Sequence, residues 1–118
     1  MMIMSPTELA KIYMMSFFGH KPLEKMKSIL AEDLIFTGPF YKYNTAEDYI
    51  ESLKENMPTE ELSYEILQEY EHENSCCIVY QSKKQGDDET MAQLFEVNEN
   101  KITRIRLILN ASKLLKKK

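Results

Sequence analysis

The sequence predicts an α+β domain, with three helices packed in the concave face of a strongly curved antiparallel sheet, a cone-shaped barrel. Three observations carry this. Apolar residues recur at spacings of three and four through the N-terminal half. Beyond Pro58 the period changes to two and stays there. Between the helical stretches lies one short apolar run, residues 34–36, closed by Gly38-Pro39. A strand this short cannot stand alone, so helices must fold back over it and later strands must pair with it.

The first helix is signalled by Ser5-Pro6-Thr7-Glu8. Ser5 can cap, Pro6 suits the first helical position, and Glu8 completes a capping box. Leu9, Ile12, Tyr13, Ser16 and Phe17 then share a face, and Gly19 ends the helix. Pro22 opens the second helix, whose stripe is Leu23, Met26, Ile29 and Leu30. Ala31-Glu32-Asp33 leads into the opening strand at 34–36. The third helix has its own box, Thr45-Ala46-Glu47-Asp48, turns Tyr49, Ile50 and Leu53 inward, and stops before Pro58. Strands follow at 63–72 and 76–84 around the turn Glu73-Asn74, then a turn at 85–88 and a closing hairpin of 89–97 and 101–109. Four strands in a meander leave one face for the helices.

The register of the closing hairpin follows from its chemistry. A three-residue loop, Asn98-Glu99-Asn100 with Asn100 left-handed, pairs Val97 with Lys101, Phe95 with Thr103, Gln93 with Ile105 and Met91 with Leu107. One face then holds Met91, Gln93, Phe95, Thr103, Ile105, Leu107 and Leu109, with Gln93 its single amide. The other holds Ala92, Leu94, Glu96, Ile102, Arg104, Arg106 and Ile108. A two-residue loop would put Arg104 and Arg106 beside Phe95 and Gln93, so three residues are expected. Apolar side chains alternating with arginine on the second face suit a homodimer interface.

Bulk properties exclude several classes. The 118 residues make one domain, residues 1–118, with a basic tail at 111–118. A chain of this length buries roughly 65% of its unfolded surface, enough for a core without staples. Taking Lys113, Lys116, Lys117 and Lys118 from the 15 basic residues leaves 11 against 19 acidic ones, a body charge of −8. That surface disfavours nucleic acid. Cys76 and Cys77 are neighbours on a strand and point to opposite faces, so they read as reduced thiols in a cytoplasmic protein. The opening Met-Met-Ile-Met is too short for a secretory signal, and no apolar run approaches the ~18 residues of a membrane helix. Lys116-Lys117-Lys118 alone adds too little charge for stable membrane anchoring, so no membrane partner is expected. His20 and His72 lack ligand spacing, and no glycine-rich phosphate loop or Ser-His-Asp pattern occurs. No metal and no cofactor are expected.

The order of elements, with Phe36-Thr37-Gly38-Pro39 after the second helix and a late Phe95-Glu96-Val97, turn, Lys101-Ile102, resembles the nuclear transport factor 2-like superfamily. The likeness is nearest to its SnoaL-like and ketosteroid-isomerase-like branch and spans residues 5–110. It implies a cone with a pocket between helices and sheet, and a homodimer through the sheet's outer face. Members resembling ketosteroid isomerase use an Asp base just before the Pro of the opening strand, where this chain has Gly38. Their first-helix Tyr, an oxyanion donor, is matched by Tyr13. Their second donor, a protonated Asp on the next-to-last strand, is replaced by Gln93 in the register above, or by Ala92 after a one-residue slip. Limonene-epoxide-hydrolase-like members carry an acid where this chain has Leu107. Neither catalytic set is present.

The resulting expectation is an apolar cone pocket for a small uncharged molecule, lined by Tyr13, Phe17, Phe36, Tyr49, Gln93 and Phe95. Tyr13 and Gln93 are expected to face one cavity, near enough to share a ligand oxygen. Two other readings stand beside it. One is a dimerising module whose cavity is filled by side chains; the other is an isomerase-, cyclase- or hydrolase-type enzyme using non-standard residues.

Overall fold

A computed structural model describes residues 3–55, 63–83 and 88–109. The helices are α1 (Pro6–Phe17), α2 (Leu23–Ile29) and α3 (Ala46–Glu55). The strands are β1 (Leu30–Thr37), β2 (Lys42–Tyr43), β3 (Ser63–His72), β4 (Ser75–Lys83), β5 (Glu89–Asn98) and β6 (Lys101–Ile108). Most of the expected turn at 85–88 and the basic tail lie outside the described residues.

The capping box of α1 is present in both halves: Glu8 N–H donates to Ser5 Oγ at 3.1 Å, and Ser5 N–H to Glu8 Oε1 at 3.0 Å. Gly19, at φ 84°, turns the chain out of the helix where a side chain would be strained. Glu71 of β3 gives α1 a second anchor, accepting from Thr7 N–H at 3.1 Å and Thr7 Oγ1 at 2.7 Å. At α3, Thr45 Oγ1 accepts from Asp48 N–H at 3.1 Å.

The six strands form one sheet in the order β2-β1-β6-β5-β4-β3. The meander β3 to β6 is antiparallel, but β1 pairs with β6 in parallel. The sheet is therefore mostly antiparallel, where a wholly antiparallel one was expected. The reason lies in the connection: β1 meets β6 only after α3 and four strands, β2 to β5, and so long a crossover permits a parallel pair. β1 also begins four residues earlier than expected, because the exposed Glu32 and Asp33 sit on the strand instead of leading into it. Register shifts between Leu30 and Ile35, Ile66 and Gln68, and Glu96 and Val97 bend three strand pairs, which is how such a sheet curls over its helices.

The hairpin loop has two residues, not three. Glu99 and Asn100 both take positive φ, 51° and 63°, and Asn98 faces Lys101. A bulge then leaves Thr103 as the extra residue, so that Glu96 faces Arg104, Phe95 faces Ile105 and Gln93 faces Leu107. The Thr103 hydroxyl donates to Glu96 O at 3.1 Å across the bulge. The expected pairs, Phe95 with Thr103 and Gln93 with Ile105, are thus displaced by two residues, but a two-residue shift keeps each residue beyond the bulge on the same side of the sheet, so Arg104 and Arg106 stay outside. Within it the assignment reverses: Ile102 is buried and Thr103 only partly so. On the outer face Tyr70, Cys77, Leu94 and Arg106 stand in one row, and Val79, Ala92 and Ile108 in the next.

Candidate functional site

A cavity of about 490 Å³ opens between α1, α3, the β1–β2 turn and the end of β6. The turn is closed by Gly38 N–H donating to Tyr41 O at 2.8 Å. A Cβ on Gly38 would lie 3.3 Å from Phe36 Cε1, so the bare glycine lets the Phe36 ring lie against the turn. That ring stacks on Tyr49 of α3 with centroids 4.3 Å apart and planes 16° from parallel. Tyr43 leans over both rings, at 6.2 Å and 5.8 Å, and Tyr41 stacks on Tyr43 at 6.5 Å. Phe17, Leu53, Leu107 and Leu109 complete the apolar lining, and Glu55 is the one carboxylate on it among the described residues.

Behind this wall the core carries two polar pairs. The Tyr13 and Tyr49 hydroxyls are hydrogen-bonded to each other. Tyr13 also stacks on Phe17 at 5.7 Å and meets Phe95 edge-on at 5.3 Å. Burial, and then the neighbouring Tyr49, hold the Tyr13 phenol well above its ordinary value; burial does the same for Tyr49. In the second pair Gln93 Nε2 donates to Tyr80 Oη at 2.9 Å and touches Met14 Sδ at 3.9 Å. Burial pushes the Tyr80 phenol up to about 12. Gln93 Oε1 is buried with no hydrogen-bond partner among the described residues.

Three of the six expected site residues, Phe17, Phe36 and Tyr49, line the cavity. Tyr13, Gln93 and Phe95 are fully buried behind it. Tyr13 and Gln93 do not bond each other; each has a tyrosine of its own, Tyr49 and Tyr80. Sequence reasoning missed Tyr80 and Tyr43. The alternation Cys76, Ile78, Tyr80, all buried, carried the signal for the first. Tyr43 sits in a two-residue strand too short to show a period.

Among the described residues no three His, Cys, Asp or Glu side chains converge. Burial, followed by the charge of Glu71, pushes the Cys76 thiol up to about 12, and burial raises Cys77 as well, so neither is a thiolate near neutrality. The place of an acid before Pro39 is Gly38, and Leu107 is an apolar lining residue. What this arrangement can do is enclose an apolar molecule against aromatic faces.

No protein-family model matches the chain, and no curated protein matches it in sequence. Solved structures do match it in shape. A nuclear transport factor 2-like protein of unknown function from Cytophaga hutchinsonii superposes with a TM-score of 0.79 at 17% identity, over 98% of this chain and 97% of that one. An LEH-like epoxide hydrolase from M. tuberculosis gives 0.77 at 11% identity, over 92% and 85%. A protein with a ketosteroid isomerase-like fold from Catenulispora acidiphila, in complex with trimethylamine, gives 0.70 at 17%, over 96% and 92%. The fold is therefore the nuclear transport factor 2-like cone, and at these identities the likeness extends to fold alone.

Proposed function

We propose that the chain is a small-molecule-binding domain whose aromatic cavity takes an uncharged, flat, apolar ligand. The observation that carries this is the 490 Å³ cavity itself, walled by Phe17, Phe36, Tyr43, Tyr49 and Leu107. Stacked rings on one wall suit a planar partner, and a cavity of this size suits a small molecule. Neighbours of the same shape include an epoxide hydrolase and a protein holding trimethylamine, so small molecules belong to this kind of cone. The lining itself supports binding and exclusion of water. At two positions of that lining, Gly38 cannot act as a base and Leu107 cannot donate a proton.

Titration with Nile red, an uncharged planar dye, tests the reading. Saturable binding is expected for the wild type. It should weaken at least about tenfold in Leu107→Trp, which fills the cavity, with the far-ultraviolet spectrum unchanged. A wild type that does not saturate would remove the proposal.

The second reading, a dimerising module, draws on a different observation. The outer sheet face exposes Tyr70, Leu94 and Ile108, at 56%, 40% and 47%, around Arg104 and Arg106. Such a face suits a homodimer, which is compatible with ligand binding on the opposite side. The free Cys76 and Cys77 suit a reducing, cytoplasmic setting. Monomeric light scattering at tens of micromolar would remove the dimer.

A further inference from the structure

We propose that the cavity also takes an organic cation, an alkylated ammonium carried on a small apolar body. The inference rests on the cavity being a ligand site and goes beyond an uncharged ligand. The first observation is the wall itself. Six of its described residues are aromatic: Phe17, Phe36, Phe40, Tyr41, Tyr43 and Tyr49. A ring face carries negative charge density and attracts a cation within about 6 Å of its centroid. These rings do not make one flat stack. Tyr43 is tilted 41° from Phe36 and 43° from Tyr49, while Tyr41 lies within 17° of parallel to it. Rings set at such angles enclose a compact group, whereas a single stack only covers a flat one. Phe40 and Tyr41 stand exposed at the mouth, on a turn fixed by the Gly38–Tyr41 backbone bond. They are therefore presented without the cost of ordering a loop.

The second observation is charge. Glu55 lines the cavity, is exposed, and has no ion pair among the described residues. The adjacent Lys54 is taken by Glu51 at 3.3 Å. Glu55 is the last residue of α3, and Ser52 and Leu53 of the same final turn also line the cavity. A helix C-terminus carries partial negative charge on its last carbonyls, which favours a cation there. No Lys or Arg stands among the described lining residues; Tyr41 and Tyr43 line the cavity and the Lys42 between them does not. The formal charge of the whole chain, −4, acts in the same direction. The kind of cation follows from what the wall lacks. A primary ammonium brings three N–H donors that need acceptors, and this wall is chiefly ring and aliphatic surface with one carboxylate. An alkylated ammonium has few or no N–H groups to satisfy and lays its alkyl surface against the rings.

NMR titration of the full chain with phenyltrimethylammonium, set against its uncharged carbon isostere tert-butylbenzene, tests this, with Nile red titration and displacement as a separate readout. The sequence after Leu109 adds Lys113, Lys116, Lys117 and Lys118, so the chain's own ammonium groups compete in every measurement. The cation should displace Nile red and bind at least about fivefold more tightly than the isostere. Glu55→Gln should lower that ratio about threefold or more, and Tyr41→Leu, at another exposed position, should lower it as well. Added salt should lower it too. An isostere that binds as tightly as the cation overturns the proposal and leaves the cavity reading intact. So does a ratio that Glu55→Gln leaves unchanged, or cation binding that leaves bound Nile red in place. Cation binding that depends on Glu55 while Nile red never saturates sinks the uncharged-ligand reading and leaves the cation site standing. Saturation by none of the three compounds overturns both.

Discussion

The hydroxyls of Tyr13 and Tyr49 are hydrogen-bonded to each other at the centre of the core, joining α1 to α3. Both side chains are buried, and this one bond lies directly behind the aromatic wall of the cavity. Removing one partner leaves the other hydroxyl buried, whereas removing both leaves two packed rings. Tyr13→Phe and Tyr49→Phe should therefore each cost ~1–3 kcal/mol, and the double variant less than their sum. Denaturant unfolding of the three variants reads this. Additive losses would show that the two hydroxyls are not each other's partners.

Gln93 and Tyr80 form the complementary case. The amide nitrogen is satisfied by Tyr80, but the amide oxygen is buried without a partner among the described residues. Replacing the pair by Gln93→Leu with Tyr80→Phe removes that orphan acceptor and the bond together. The double variant should unfold at the same denaturant concentration as wild type or higher. A loss above ~3 kcal/mol would mean that the amide oxygen is held by a group of its own.

The bulge at Thr103 keeps Arg104 and Arg106 out of the core. Deleting Thr103 removes only the extra residue, so Arg104 still faces Glu96, Ile105 still faces Phe95 and both arginines stay outside. The deletion should therefore retain cooperative thermal unfolding, as should Thr103→Ser, which keeps the hydroxyl to Glu96 O. A deletion variant that no longer unfolds cooperatively would contradict the register, since in an unbulged three-residue-loop register the deletion turns both arginines inward.

Stability should fall at both ends of the pH range. The Thr7 hydroxyl and then the Thr7 N–H hold the Glu71 carboxyl below its ordinary 4.5. Its contribution is complete above the unfolded value and is lost as the pH falls through the lower folded one. Glu71→Gln should flatten the acid limb. At the alkaline end burial raises Tyr13, Tyr49 and Tyr80 above the ordinary 10, Tyr80 to about 12. A raised group contributes fully below its unfolded value and loses that contribution as the pH climbs through the folded one, so unfolding should set in between about pH 10 and 12. Melting temperatures at pH 3, 7 and 11 check both limbs.

Much of this architecture was legible because its signals are local. Ser5, Pro6 and Glu8 sit within four residues and form the α1 cap whatever else the chain does. Period-two patterning placed β3, and it placed Gln93 and Phe95 on the buried face. The rest depended on partners distant in sequence. Nothing near Leu34 says that β1 will meet β6 in parallel. Loop length and bulge were interchangeable because both preserve the alternation beyond Thr103. At the site, Phe17, Phe36 and Tyr49 followed from their helix and strand faces. The pairing of Tyr13 with Tyr49 could not, since it depends on how close α1 and α3 come.

The most direct test of the central claim is an aromatic and methyl NMR titration of the wild type with an uncharged planar compound such as Nile red. The account predicts saturable shifts concentrated at Phe17, Phe36, Tyr43, Tyr49, Leu53 and Leu107. The Leu94 and Ile108 methyls on the outer sheet face should be unmoved. Shifts confined to Leu94 and Ile108, or none that saturate, would contradict it.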